Sequence, residues 1–67
     1  MAEELKPPFR WIGMGYRDNG DGYGRIKNDE TGQTFRIGAM EACWRPKIET
    51  YKQASIRAFN RRMEREG

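Results

Sequence analysis

A chain of 67 residues, 36% hydrophobic and 34% charged with a net charge of +3, holds one small domain with a marginal core. With no His at all, it lacks His zinc ligands, a His general base and any Ser–His or Cys–His nucleophile pair, so neither an enzyme nor a cofactor is expected. The single Cys excludes a disulfide framework and suits a cytoplasmic protein, and no apolar run approaches the ~20 residues of a membrane span.

Residues 1–8 read as a flexible leader, and residues 9–67 as the domain. The start, Met1-Ala2-Glu3-Glu4, lacks the basic region and apolar stretch of a signal peptide. Pro7-Pro8 resists helix formation. From Phe9 to Arg17, Ile12, Met14 and Tyr16 alternate with Trp11, Gly13 and Gly15, the period of a strand. Asp18-Asn19-Gly20-Asp21-Gly22 is a turn cluster, because Gly and Asn tolerate the positive φ that turns need. A second strand is expected over Tyr23–Asn28. A second turn follows at Asp29-Glu30-Thr31-Gly32, and a third strand over Gln33–Gly38. Ala39–Trp44 fits either a helical turn or a linker that packs through Met40 and Trp44.

Pro46 suits the first turn of a helix, and Lys47–Glu66 contains neither Gly nor Pro. At 100° per residue, Ile48, Tyr51, Ser55, Ile56, Ala58, Phe59 and Met63 share an arc of about 160°. Lys47, Arg57, Arg61 and Arg65 form a basic flank. The spacing predicts a helix over roughly Pro46–Arg65 with Phe59 at the centre of its apolar face. The fold class that follows is α+β: a three-stranded antiparallel sheet covered on one face by a C-terminal helix.

Simple alternation points Ile12, Met14, Tyr16, Ile26, Phe35 and Ile37 at the helix. The opposite parity holds Trp11, Arg17, Tyr23, Arg25, Lys27, Thr34 and Arg36 on the open face. Four cations and two aromatics on so small a face suit a nucleic-acid surface, since Arg bridges phosphates or pairs with guanine edges. A solvated sheet face would also be polar. The charge is uneven: residues 1–33 carry five basic and six acidic groups, net −1, and residues 34–67 carry eight and four, net +4. Asn19-x-Asp21-x-Tyr23-Gly24-x-Ile26-x-x-x-Glu30 echoes a calcium loop in spacing, but Tyr23 stands where an oxygen ligand belongs. Cys43, with no His to activate it, reads as a small buried hydrophobe, and Trp44 as a core residue closing the gap between sheet and helix.

The order Pro7-Pro8, Arg17-Asp18-Asn19-Gly20, Tyr23, then Lys27-Asn28-Asp29-Glu30-Thr31-Gly32-Gln33-Thr34-Phe35-Arg36-Ile37-Gly38 resembles one family. It is similar to the N-terminal arm-binding domain of lambda-type phage tyrosine recombinases. There a three-stranded sheet backed by one helix lies in the DNA major groove. The resemblance covers about residues 7–60 and implies that Arg17, Arg25, Lys27 and Arg36 face the groove.

The leading expectation is therefore a DNA-binding module that contacts duplex DNA through its open sheet face, with Trp11, Arg17, Tyr23, Arg25, Lys27 and Arg36 as binding residues. The alternative is a small phage-type interaction or inhibitor protein that engages a host protein through Trp11, Tyr23 and the sheet edge. Aromatics and Arg dominate protein hot spots too. Single-stranded nucleic acid stacked on Trp11 and Tyr23 is a third reading.

Overall fold

The computed structural model describes residues 3–66; Met1 and Ala2 of the expected leader and Gly67 lie outside the described residues. Three strands, β1 (Phe9–Tyr16), β2 (Gly22–Asn28) and β3 (Thr34–Gly38), form an antiparallel meander in the order β1-β2-β3. A single helical turn, α1 (Ala39–Ala42), leads to the long helix α2 (Tyr51–Glu66). The fold is the expected α+β arrangement of three strands and a C-terminal helix, with α1 added.

Local chemistry sets the two hairpins. At the first, Arg17 N–H donates to Asp21 O (2.8 Å) and Asp21 N–H to the Asn19 side chain (3.0 Å), while Gly20 takes φ +90°. At the second, the Asn28 side chain accepts from Glu30 N–H at 2.8 Å, and Gly32 takes φ +78°. Both turns fall where the Gly/Asn/Asp clusters predict them.

The core lies between the sheet and α2. Ile26, Ile37, Ala42, Ala54, Ala58 and Phe59 are buried, with Leu5, Phe9, Trp11, Phe35 and Met63 against them. Phe59 sits edge-on to two rings, with centroids 4.8 Å from Phe9 and 5.4 Å from Phe35. Leu5 joins this cluster, and the Asn60 side chain donates to Glu4 O at 3.2 Å, so the described part of the leader lies against the domain.

Two expectations are corrected. The helix begins at Tyr51, not Pro46. Pro46, Lys47 and Ile48 form a separate turn, with Ile48 N–H donating to Arg45 O at 3.0 Å. The carboxylate of Glu49 accepts from Arg45 N–H at 3.2 Å and from the Arg45 and Arg57 guanidiniums, folding this segment onto α2. Gln53 N–H then donates to Thr50 Oγ1 at 3.2 Å, capping a free donor of the first turn. Ile48, outside the helix, is exposed rather than part of the apolar arc. Thr50-x-x-Gln53 is the sequence signal for this start.

The second correction is a β-bulge. Trp11 pairs with Ile26 but Gly13 pairs with Arg25, leaving Ile12 as the extra residue and Gly13 at φ +105°. One inserted residue inverts the alternation on one side of it. Phe9 and Trp11 face the helix, and Arg10 takes the open side beside Lys27.

Candidate nucleic-acid interface

The open face is built from three cross-strand rows. Arg10, Lys27 and Thr34 make the first; Gly13, Arg25 and Arg36 the second; Gly15, Tyr23 and Gly38 the third. Each row alternates with residues whose side chains enter the core, because β2 buries Gly24 and Ile26 toward α2. No carboxylate stands in the three rows. Asp29, in the turn beyond, pairs with Arg10 at 3.1 Å.

The glycines of β1 make room for the larger side chains of β2. A Cβ on Gly15 would lie 2.5 Å from the Tyr23 ring, so the edge of that ring packs over bare backbone. The Arg25 guanidinium lies over Gly13, 3.7 Å from where a Cβ would be, and donates to Ile12 O at 3.3 Å. Its Nε is buried and makes no hydrogen bond among the described residues. Arg36, directly across from Arg25, has its guanidinium carbon 4.8 Å from the Tyr23 ring centroid.

Of the six expected site residues, Tyr23, Arg25, Lys27 and Arg36 come together on this face. Trp11 does not. The bulge turns it inward, against the core and over Gly24, whose Cβ would meet the indole at 2.8 Å. Arg17 also lies elsewhere, at the end of the sheet beside Tyr51. Burial pushes the Tyr51 hydroxyl above its usual pKa, and the Arg17 charge partly opposes this. That hydroxyl donates toward Ile37 O (3.2 Å) and Gly22 O (3.3 Å). Arg10 is the face residue that alternation from Ile12 misses; only the inserted residue reveals it.

A second feature lies on the helix side, where α2 starts too late to cover the end of the sheet. Met14, Tyr16, Gly22, Met40, Trp44 and Tyr51 line a cavity of about 670 Å³. Tyr16 is 72% and Met40 94% exposed. Trp44 is therefore a wall of this cavity rather than core: it donates Nε1–H to Glu49 O at 3.0 Å and stands edge-on to Tyr51. Cys43 is corrected likewise. It is an exposed thiol, held at φ 51° where α1 ends.

Glu49 is the electrostatic centre of the linker. Its hydrogen bonds from Arg57, and secondarily from Arg45, hold its carboxyl below the usual range against the opposing effect of burial. Arg57 also donates to Ala42 O at 2.7 Å, and Arg62 pairs with Glu41, so α1 is tied to α2. Among the described residues no helix is long and apolar enough to cross a membrane.

No family model, curated protein or solved structure matches this chain.

Proposed function

We propose that this protein binds duplex DNA through the open face of its sheet. The observation that carries the reading is the Arg25–Arg36 cross-strand pair, with Lys27 beside it, on a face whose rows hold no carboxylate. Like charges placed directly opposite across strands destabilise a sheet. A polyanion offsets that cost, and phosphate neutralisation with counterion release supplies the affinity. The sequence resemblance to the recombinase arm-binding domain supports the same use of the sheet and suggests a phage DNA-recombination setting.

The test is a fluorescence-anisotropy titration of a labelled duplex at several salt concentrations. Log K should fall linearly with log salt. Arg25→Gln and Lys27→Gln should each reduce the slope by about 0.9 if the residue neutralises one phosphate. Arg61→Ala, on the exposed side of α2, should leave binding unchanged. Absence of duplex binding at about 50 mM salt by the folded protein would reject the proposal. It would transfer attention to the cavity of Tyr16, Met40 and Trp44 as a surface for a protein partner.

A further inference from the structure

We infer that the DNA face reads guanine through Arg36, and that Tyr23, seated on Gly15, is the residue that positions it. This rests on the DNA-binding reading and names the base that the same face selects.

The three central cations of the face are held differently. Arg25 is committed: its Nη2 bonds Ile12 O at 3.3 Å and its Nε is buried. With one Nη2 N–H spent on Ile12 O and its Nε buried, its guanidinium is held down over Gly13, so it acts as a fixed positive charge toward phosphate. Lys27 carries an ammonium on a flexible stem, which suits a phosphate but sets no direction. Arg36 is exposed and makes no hydrogen bond among the described residues, yet its guanidinium is held against the Tyr23 ring. A guanidinium over an aromatic face keeps its in-plane N–H donors free. Two parallel donors of a guanidinium match the O6 and N7 acceptors of guanine in the major groove.

The support beneath Arg36 is built into the register. Tyr23 pairs with Gly15 on one side and Gly38 on the other, so no side chain flanks its ring within the row. The Tyr23 ring occupies the space that a Cβ on Gly15 would take, at 2.5–2.7 Å from the ring edge and hydroxyl. Gly15 has no positive φ, so the backbone does not require glycine there. What requires it is the ring. Gly15 is a seat, Tyr23 a platform, and Arg36 the reading group.

The experiment compares a duplex of alternating G·C pairs with the same duplex containing 7-deazaguanine, which lacks the N7 acceptor. Both are titrated by anisotropy, and circular dichroism confirms that each variant is folded. Wild type should bind the 7-deazaguanine duplex about 5-fold or more weakly. Arg36→Met should bind the two duplexes equally, because it removes every donor to the O6 and N7 edge while keeping an unbranched stem of similar reach. Tyr23→Leu should lose the discrimination and Tyr23→Phe should keep it, since Phe preserves the ring face. Gly15→Ala, which displaces the ring while leaving every donor in place, should behave as Tyr23→Leu. It serves as the second variant if Tyr23→Leu does not fold. Equal binding of the two duplexes by wild type overturns the guanine inference while DNA binding stands. Full discrimination by folded Tyr23→Leu or Gly15→Ala overturns the positioning role. No binding to either duplex overturns the DNA reading itself.

Discussion

Adding a single methyl group at Gly24 tests how the sheet meets the helix. Gly24 is buried in the central strand, paired with Met14 on one side and Ile37 on the other. A Cβ there would lie 2.5 Å from Ser55 Oγ, 2.8 Å from Ser55 Cβ and 2.8 Å from the Trp11 indole. Ser55 Cβ is tied directly to the α2 backbone, so rotation of a side chain does not relieve the clash; the helix or the strand must shift. Overpacking of this kind costs about 1–3 kcal/mol. Replacing Gly also restricts the unfolded chain, which returns about 0.4–1 kcal/mol. The two ranges leave a net loss between about 0 and 2.6 kcal/mol, centred near 1.3 kcal/mol, in a domain of a size that commonly holds only about 3–5 kcal/mol. At that centre the melting temperature of a chain of this length falls by about 5–10 °C. Gly22 provides the control: on the same strand and face, its Cβ would meet only Met14 Cε and the Tyr16 ring edge at 3.4 Å. Both belong to long side chains at the open cavity, so Gly22→Ala should change stability by no more than about 0.5 kcal/mol. Thermal melts and urea titrations of the two variants decide the matter. Equal stability of Gly24→Ala and wild type would show that Trp11 and Ser55 do not close over Gly24, and that the bulge does not turn Trp11 inward.

Phe59→Ala removes the ring shared by Phe9 and Phe35, at a cost of about 3–5 kcal/mol. The variant should be largely unfolded at room temperature, and a cooperative wild-type-like melt would contradict this core. Glu49, with its folded pKa lowered by Arg57 and Arg45, contributes stability that is complete above the ordinary carboxylate value of about 4.3. That contribution should fade as pH falls below that value through the lowered folded pKa. Glu49→Gln should be less stable at neutral pH and show a flatter acid limb; an unchanged stability–pH curve would disprove the linkage. Cys43 should react with an alkylating reagent at nearly the same rate folded and unfolded, because its thiol is exposed. Strong protection in native buffer would place it inside the fold.

Residues acting through their own neighbours are the legible part of this sequence. Both hairpin turns follow from Gly20, Gly32, Asn19 and Asn28, whose φ freedom and side-chain acceptors operate within a few residues. The three strands, the body of α2 and the burial of Phe59, Ala58 and Ile56 follow from periods of two and of 3.6 read over short windows. Tyr23, Arg25, Lys27 and Arg36 share a face because β2 and β3 carry no bulge. The tertiary structure decided what depends on register and on where elements meet. A two-residue alternation does not register an inserted residue, so only the pairing of Trp11 with Ile26 and Gly13 with Arg25 shows Trp11 and Arg10 exchanging sides. Pro46 suits either a helix start or a preceding turn. The contest is settled by Glu49 binding Arg57 across the fold and by Thr50 capping Gln53. Because α2 starts at Tyr51, it leaves Tyr16, Met40 and Trp44 uncovered, and no local propensity of those three residues carries that information.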